Sequence, residues 1–360
     1  MVQKNNSTLL IAGGGTGGHV LAGVAVADAW REMTGSSVLF VGASGGIEEK
    51  LVPKAGYPLE TLKLGSLNRV SLKRKIRTFF QLPLSLLKSL QILWRVKPKV
   101  VLGVGGYSSG PMVLMARLLG AKTAILEQNV MPGLTNRWLG RWVDLVFCAF
   151  PGAESYFKHA KPVVTGNPVR SAMKPLPSAK RDPFTIFIFG GSQGSIPINS
   201  LVIEALPELA DLKGKLKWIH QTGEKDFERV CAAHEAQATG ARVEKFVYEM
   251  AEAYAQSSLL ICRSGSSTLS EIAAVGRAAV LIPFPFASDN HQEKNARIFV
   301  EVGAAEILIQ AATSGKDLAN LIRKLLQAPT QISEMEKTVQ SFYKPDAARS
   351  VVESLMEFTK

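Results

Sequence analysis

Short apolar segments alternate with longer segments whose apolar residues recur every three or four positions along most of the 360-residue chain. An apolar segment of about four to eight residues is typical of a strand in a parallel sheet, and the periodic segments are typical of helices packed on such a sheet. Glycine-rich turns follow the first strand of each half, at 13–18 and at 190–194. This arrangement predicts an α/β protein with two Rossmann-like, doubly wound domains that face each other across a cleft.

The composition of the middle of the chain indicates where the two halves divide. A polar, proline-bearing segment at 175–183 follows the motif GNPVR (166–170), and the strand–turn–helix pattern restarts after it. We expect an N-terminal domain over 1–165, a C-terminal domain over 166–342, and a terminal segment over 343–360 that packs back on the first domain. The strand at 145–149 is expected to be the last strand of the N-terminal domain.

Three turns of the first half, at 13–19, 105–111 and 127–133, each follow a predicted strand. Because the carboxyl ends of parallel strands meet at one edge of a sheet, we expect these turns to lie side by side. His19 stands at the end of the first turn, before a helix predicted over about 20–33. A neutral imidazole in a glycine-walled site can accept a proton near pH 7, so we expect His19 to be a general base.

The stretch 261–296 carries the second set of candidate residues. The small-residue turn at 264–268 follows a strand, and we expect a helix from about Thr268. A helix N-terminus favours an anion such as a phosphate. Thr268 and Glu271 also fit a capping box, which would make the turn purely structural. The polar loop at 283–292 favours a nucleotide-sugar site over the purely structural interpretation. We expect the nearby Arg263, at the end of a strand, to be a structural ion-pair partner.

Positive charge is concentrated in the first half of the chain. Residues 1–165 contain 20 Lys/Arg and 8 Asp/Glu, whereas residues 166–360 contain 22 of each. This asymmetry indicates a polyanionic partner, either a nucleic acid or an anionic membrane surface. Between 67 and 99 the basic residues are interleaved with leucines more than with aromatic residues, and base stacking requires aromatic rings. We therefore expect a membrane surface and no nucleic acid.

Metal, redox and membrane-spanning classes are not indicated by the sequence. The five histidines are scattered, no HExxH or DxD motif occurs, and the three cysteines form no CxxC pair. We expect no metal or other cofactor, so helix N-termini and arginine would have to stabilise a leaving diphosphate. No apolar segment reaches the roughly 18 residues that a spanning helix needs, which predicts a soluble or surface-bound protein.

Eight motifs, in order along nearly the whole chain, resemble those of the bacterial MurG glycosyltransferases: GGGTGGHV (13–20), LVPKAGYP (51–58), VLGVGGYSSGP (101–111), EQNVMPGLTN (127–136), GNPVR (166–170), GGSQGS (190–195), CRSGSSTLSEIAAVGRAAVLIPFP (262–285) and DNHQEKNA (289–296). The resemblance implies the GT-B fold and an inverting, metal-independent enzyme of peptidoglycan synthesis. Such an enzyme moves N-acetylglucosamine (GlcNAc) from UDP-GlcNAc to the C4 hydroxyl of MurNAc in lipid I, undecaprenyl-pyrophosphoryl-MurNAc-pentapeptide, giving lipid II. The implied location is the cytoplasmic face of the cell membrane, as a peripheral protein with an anionic membrane surface and other cell-wall enzymes as partners.

The resemblance also implies roles for individual residues. His19 would be the base for the acceptor hydroxyl, Val247 would clamp uracil through its backbone, and Glu271 would bind the ribose hydroxyls. The residues implied in donor binding are Thr16, Gly17, Gly18, Asn129, Arg170, Ser192, Val247, Ser266, Ser267, Thr268, Leu269, Ser270, Glu271 and Gln292. Those assigned to acceptor or membrane contact are Tyr107, Arg74, Lys75, Phe79, Phe80, Leu87 and Trp94.

Two other functional classes fit parts of the pattern. A UDP-GlcNAc 2-epimerase would share the two-domain architecture but would have no use for a basic, membrane-facing segment. A non-catalytic nucleotide-sugar or lipid-binding scaffold would need only one of the two halves. This chain has the glycine loop, His19 and the full set of donor residues, which argues against a scaffold.

Overall fold

The structure is a computed structural model that describes the backbone of residues 8–64, 72–179 and 181–359, and the side chains of residues 8–64, 81–179 and 181–359. The chain divides into two compact units. The first comprises Met1–Ser171 and Lys344–Lys360, and the second comprises Ala172–Tyr343.

The first unit contains a parallel sheet with helices between its strands. In chain order its elements are β1 (Leu9–Gly13), α1 (Gly17–Thr34), β2 (Val38–Ala43), α2 (Glu48–Lys54), β3 (Leu59–Leu62), α3 (Leu72–Val96), β4 (Val100–Gly105), α4 (Ser109–Leu118), β5 (Lys122–Glu127), α5 (Leu134–Leu139), β6 (Leu145–Cys148) and β7 (Lys161–Val164). The strand order is β3-β2-β1-β4-β5-β6-β7. Since β1, β4 and β5 are adjacent and parallel, the three predicted turns lie side by side.

The prediction that the strand at 145–149 ends this sheet is wrong. β7 pairs with β6 beyond it, and β3, which was not predicted, forms the opposite edge. Both edge strands lack a continuous apolar segment: β3 has the sequence LETL and β7 has the sequence KPVV. The two end residues of β7, Lys161 and Val164, are exposed. Pro162 is tolerated because an edge strand need not donate on its open side.

The second unit repeats the same design. Its elements are β8 (Phe184–Phe189), α6 (Ile196–Ala205), β9 (Leu216–Gln221), α7 (Phe227–Ala236), β10 (Arg242–Glu244), α8 (Met250–Gln256), β11 (Leu259–Cys262), α9 (Ser266–Val275), β12 (Ala279–Leu281), α10 (His291–Glu301), β13 (Glu306–Ile307), α11 (Gly315–Gln327) and α12 (Pro329–Gln340). The parallel strands follow the order β10-β9-β8-β11-β12-β13. β8, β9 and β11 therefore present the ends of neighbouring strands at one edge.

Helices cover both faces of the first sheet. In β1, Leu9 and Ile11 enter one apolar core, while Leu10 and Ala12 enter the core on the other face. Successive side chains of a strand point to opposite faces, so a strand that is buried on both faces must be apolar throughout. This requirement explains the uninterrupted apolar segments of the sequence.

The last helix of the chain, α13 (Ala347–Phe358), belongs to the first unit. Its side chains Val351, Val352 and Leu355 are fully buried in the core that contains Leu9 and Ile11. No helix in the described part of the chain is long and apolar enough to cross a membrane.

Candidate active site

In the first unit, the turn after β1 holds the imidazole of His19 in one tautomer. The helix α1 begins at Gly17, earlier than predicted, with Thr16 as the N-cap whose Oγ1 accepts from the His19 N–H at 3.4 Å. The ring Nδ1 lies 3.1 Å from the carbonyl oxygen of Gly14. Because a carbonyl only accepts, Nδ1 carries the hydrogen of the neutral ring and Nε2 keeps a lone pair. The ring can therefore accept a proton at Nε2.

A buried carboxylate occupies N–H groups beside this turn. Glu48, the first residue of α2, is 1% exposed, and its two oxygens accept from the N–H of Gly15 at 3.0 Å and of Ala43 at 2.7 Å. A Cβ on Gly14 would lie 2.1 Å from the Glu48 carboxylate, so glycine is required there. Because the Gly15 N–H already donates to Glu48, it is not open to a phosphate oxygen.

Sequence reasoning missed Glu48 because no acidic residue stands directly at the end of β2. The carboxylate reaches the strand end from the next helix instead. The available signal was the cluster of Gly42, Gly45 and Gly46 shortly before Glu48 and Glu49.

Asn129 is oriented by a second buried carboxylate, that of Glu127 at the end of β5. Glu127 Oε1 accepts from the backbone N–H and the side-chain amide of Asn129, at 2.8 and 3.1 Å. Its Oε2 accepts from Gly133 N–H at 3.1 Å and from the Asn136 amide at 2.9 Å. Burial raises the pKa of Glu127, while the four N–H bonds act in the opposite direction. Glu127 therefore fixes the turn at 127–133 that carries Asn129.

In the second unit, the turn after β8 exposes Ser192 at its tip. The N–H of Gly194 donates to the carbonyl of Gly191 at 2.9 Å, and both glycines have positive φ, +91° at Gly191 and +71° at Gly194. Ser195 is the N-cap of α6, and its side chain does not cap the helix. Pro197 has no N–H, so the first turn of α6 can offer only the N–H groups of Ile196 and Ile198 to an anion near Ser192.

The helix α9 begins at Ser266 with Gly265 as its N-cap, and no side chain caps its first turn. The capping-box interpretation is wrong, because Thr268 lies inside the first turn and Glu271 Oε2 instead accepts from the Tyr254 hydroxyl at 3.1 Å. Ser267 and Thr268 are half-buried. The uncapped N-terminus of α9 is thus a second position in this unit where an anion could bind.

Two of the predicted residues on α9 make structural contacts. The Leu269 side chain is fully buried in the core, and its N–H donates to the Gly265 carbonyl at 3.0 Å. The hydroxyl of Ser270 donates to the Ser266 carbonyl at 2.8 Å. Neither the Leu269 side chain nor its N–H is therefore available to a ligand.

Arg263 joins the two anion-binding turns. Its guanidinium donates to Ser195 Oγ and Gln310 Oε1, both at 2.8 Å, and to the carbonyls of Ile282 and Pro283 at 3.1 and 3.0 Å. All four acceptors are uncharged, and no carboxylate of the described residues pairs with it, so the ion-pair expectation is wrong. Burial lowers the pKa of Arg263 to about 10, which leaves it protonated at neutral pH.

The loop at 283–292 is attached to the α9 turn through Gln292. Its Oε1 accepts from the Phe284 N–H at 3.0 Å, and its backbone carbonyl accepts from the Ser264 hydroxyl at 2.8 Å. With Oε1 engaged, the amide nitrogen of Gln292 is the end that faces Gly265. Gln292 therefore presents N–H donors at the α9 turn, where a sugar hydroxyl could accept them.

Val247 lies beyond β10 and is almost fully buried. Its N–H donates to the Gln221 side chain at 3.1 Å. The flanking rings of Phe246 and Tyr248 are exposed and lie 4.9 Å apart between centroids. Sequence reasoning missed Gln221 and both aromatic rings. The only signal was a polar residue at the end of an apolar strand and two aromatic residues around Val247.

The remaining candidates lie in the first unit. Arg170 follows β7 and Tyr107 follows β4, and both are half-buried. Leu87 and Trp94 of α3 are 57% and 62% exposed. The side chains of Arg74, Lys75, Phe79 and Phe80 lie outside the described residues. Among the described side chains, no group of three or more His, Cys, Asp or Glu is arranged to hold a metal ion.

A buried histidine pair lies behind the turn at 190–195. His220 Nε2 is 3.1 Å from Oδ1 of the Asn199 side chain. The Nδ2 of the same side chain donates to the Asp226 carboxylate and to the backbone carbonyl of Thr222. His220 Nε2 is therefore a donor, and its Nδ1 accepts from His234 Nε2 at 3.2 Å. Burial lowers the pKa of His220 to about 3 and that of His234 to about 4, so both rings stay neutral.

We expect the free energy of unfolding of the second unit to fall between about pH 7.5 and about pH 5.5. The unfolded chain protonates each histidine near pH 6.5 and thus binds more protons than the folded chain, which costs about 1.4 kcal/mol per histidine over this interval. Urea denaturation at the two pH values measures the difference, expected to be about 2–3 kcal/mol. His234→Gln should reduce it by about 1.4 kcal/mol; an unchanged difference would show that the pair does not cause it.

Comparison with known proteins matches both units. The sequence profile of the glycosyltransferase family 28 N-terminal domain matches residues 9–148, and that of the C-terminal domain matches residues 185–351. Two curated relatives are UDP-N-acetylglucosamine–N-acetylmuramyl-(pentapeptide) pyrophosphoryl-undecaprenol N-acetylglucosamine transferases. The one from Syntrophus aciditrophicus is 44% identical over 352 residues, 97% of this chain and 98% of that protein. The one from Myxococcus xanthus is 42% identical over 349 residues, which are 96% of this chain and 91% of that protein.

Solved structures agree with the predicted fold class. MurG of Acinetobacter baumannii superposes with a TM-score of 0.81 at 29% identity, over 98% of this chain and 99% of that one. A putative UDP-N-acetylglucosamine 2-epimerase from Listeria monocytogenes superposes with a TM-score of 0.71 at 12% identity, over 98% of this chain and 97% of that one. At this identity the similarity concerns the fold alone. Two parallel-sheet α/β units together with these matches confirm the GT-B prediction.

Proposed function

Because this chain belongs to the MurG family, within glycosyltransferase family 28, we propose that it transfers GlcNAc from UDP-GlcNAc to the C4 hydroxyl of MurNAc in lipid I, forming lipid II and UDP. The observation that carries the proposal lies in the second unit. There the N-termini of α6 and α9 are joined by the buried Arg263, which provides a positive site for a diphosphate. The corresponding turn of the first unit is occupied by Glu48.

The reaction is a single displacement at the anomeric carbon. The C4 hydroxyl oxygen of the acceptor attacks C1 of GlcNAc, the bond between C1 and the diphosphate oxygen breaks, and the configuration at C1 inverts. The hydroxyl proton moves to His19 Nε2, whose lone pair is set by the bond from Nδ1 to Gly14. UDP leaves with the pair of electrons from the broken bond.

The developing charge on UDP is stabilised without a metal ion. The first N–H groups of α9 and the N–H groups on either side of Pro197 in α6 donate to the diphosphate oxygens. The Arg263 charge raises the potential between the two helices. Ser192 lies at the exposed tip of one turn, and the resemblance to the family assigns Arg170 to the diphosphate. Because these groups are held in place before the reaction, they need little reorganisation when the charge appears.

The rest of the donor is held by the flanking segments of the second unit. The Glu271 carboxylate binds the ribose hydroxyls, the Gln292 amide binds the sugar hydroxyls, and the segment around Val247 binds uracil. Each of these groups is kept in place by a hydrogen bond to a neighbouring element. The resemblance to the family assigns Asn129, which Glu127 orients, to the GlcNAc.

A transfer assay with EDTA tests the proposal. The purified protein is incubated with radiolabelled UDP-GlcNAc and a short-chain lipid I analogue in the presence of EDTA. Labelled disaccharide lipid is the expected product. Binding of UDP-GlcNAc without that product contradicts the proposal. In that case UDP-ManNAc in the same tube would identify an epimerase, and the absence of UDP-ManNAc would identify a scaffold.

We propose further that the first unit docks on an anionic membrane at the cytoplasmic face. Along α3, Leu84, Leu87 and Trp94 are more than half exposed, whereas Ser85 and Ser89 are buried. Exposed apolar side chains within the basic region are typical of a helix that inserts into the headgroup layer.

Vesicle co-sedimentation measures this docking. We expect the double variant Leu87→Ser, Trp94→Ser to bind phosphatidylglycerol-containing vesicles at least about tenfold more weakly, because two apolar side chains no longer enter the interface. Val302→Ser removes an exposed apolar side chain of the second unit and serves as the control. Equal binding by the wild type and the double variant would contradict the docking proposal.

A further inference from the structure

Gln221, the last residue of β9, connects two segments of the second unit that lie on opposite sides of its strand. Its Nε2 donates to the Gly191 carbonyl at 2.8 Å, and its Oε1 accepts from the Val247 N–H at 3.1 Å. The side chain is 3% exposed. β9 lies between β8 and β10, so Gln221 stands where the turns after these neighbouring strands can both reach it.

The two ends of the carboxamide have unambiguous roles. A carbonyl can only accept and a backbone N–H can only donate, so the nitrogen faces Gly191 and the oxygen faces Val247. No other side chain type supplies a neutral donor and acceptor at this length. Glutamate retains the acceptor and loses the donor, while methionine has a similar shape and loses both.

The segments joined by Gln221 differ in the chemistry they offer. The Gly191 carbonyl closes the turn that exposes Ser192 at the N-terminus of α6, which suits a phosphate. Val247 is flanked in the sequence by Phe246 and Tyr248, whose exposed rings contact each other edge to face and offer an aromatic surface to a planar base. A nucleoside diphosphate contains both groups at a fixed separation.

We propose that Gln221 is a positioning residue that sets the distance between the base-binding segment and the diphosphate-binding turn, and so couples base selectivity to diphosphate affinity. This inference rests on the proposed function, because it assumes that the second unit binds UDP. Gln221 itself does not touch the reacting atoms. It acts by holding the Gly191 carbonyl and the Val247 N–H on one rigid strand end.

The same region is also held by backbone contacts that do not involve the Gln221 side chain. The N–H groups of Thr222 and Gly223 donate to the carbonyls of Glu244 and Lys245 at 2.9 and 3.1 Å. The fold of the strand end therefore persists when Gln221 is replaced. Loss of the carboxamide should change the alignment of the two segments more than their stability.

The experiment measures the binding of UDP and CDP by titration calorimetry, together with KM and kcat for UDP-GlcNAc. We expect Gln221→Glu to weaken UDP binding about tenfold and to keep the preference for UDP over CDP, because Val247 retains its acceptor. We expect Gln221→Met to weaken UDP binding more and also to reduce that preference severalfold. In both variants KM should rise while kcat changes less than about threefold.

Thr222→Val is the matched control. Thr222 is equally buried, and its hydroxyl donates to backbone carbonyls at the same strand end. In the described part of the chain these acceptors are Gly223 and Glu244 rather than Gly191 or Val247. The control should lower the melting temperature and leave base selectivity unchanged. An unchanged ratio of UDP to CDP affinity in Gln221→Met, with UDP still bound by the wild type, would overturn the inference. A wild type that does not bind UDP would overturn the proposed function as well.

Discussion

Replacing His19 by alanine is expected to lower kcat by about 10²–10⁴-fold, the usual contribution of a general base. The bond from Nδ1 to the Gly14 carbonyl keeps the lone pair on Nε2, and alanine removes this acceptor without adding volume. The affinity for UDP should change by less than about threefold, because the anion-binding turns belong to the second unit. Single-turnover transfer with lipid I analogue measures the first quantity, and calorimetry measures the second.

Two controls separate base catalysis from structural damage. Added imidazole should restore part of the activity of His19→Ala, because a small base can occupy the space left by the ring. His159→Ala replaces an exposed histidine of the same unit and should leave kcat unchanged. Turnover of His19→Ala near the wild-type rate would remove His19 from the chemistry.

Replacing Arg263 by methionine is expected to lower kcat/KM by about 10²–10³-fold, because it removes the charge between the two helix N-termini. UDP affinity should fall by about 10–100-fold and UMP affinity by less, since the second phosphate carries much of the charge. Arg263→Lys keeps the charge but loses the planar fork that reaches Ser195 and Gln310, and should lie between the wild type and methionine. Competitive inhibition by UDP and UMP gives both affinities.

Arg277→Met is a matched control for this prediction. Arg277 is also a buried arginine of the second unit, and it donates to the carbonyls of Tyr254 and Pro177, but it follows the C-terminal end of α9. Its loss should lower stability and leave the ratio of UDP to UMP affinity unchanged. If Arg263→Lys lost as much affinity for UDP as Arg263→Met, and both variants lost as much affinity for UMP as for UDP, the role of Arg263 would be packing rather than charge.

Much of the fold was predictable because its signals are local. Buried strands such as β1 and β8 are continuous apolar segments, and the glycine turns follow them directly. The edge strands β3 and β7 escaped prediction because edge positions do not require apolar residues on both faces. Helix starts were placed two or three residues late at α1 and α9, since Gly17 and Ser266 have low helix propensity and only the tertiary turn brings them into the helix.

The candidate site was predictable only in part. His19, Ser192 and the turn at 264–268 were identifiable because they stand directly at strand ends. The partners of Arg263 were misjudged, since a strand-end arginine gives no sign in the sequence of whether its partners are carboxylates or uncharged oxygens. Glu48 and Gln221 were missed because each acts on backbone groups of a distant turn.

The sequence by itself determined the alternation of strands and helices, the positions of the glycine turns and the resemblance to MurG, all of which depend on neighbouring residues. Only the tertiary structure decided which side chains meet. Glu48 reaches Gly15 across 33 positions, Gln221 reaches Gly191 across 30, and Arg263 reaches Ser195 across 68. The reason is physical: the order of strands in a sheet results from packing of the whole core, whereas hydrophobic periodicity reports only the face that each segment buries.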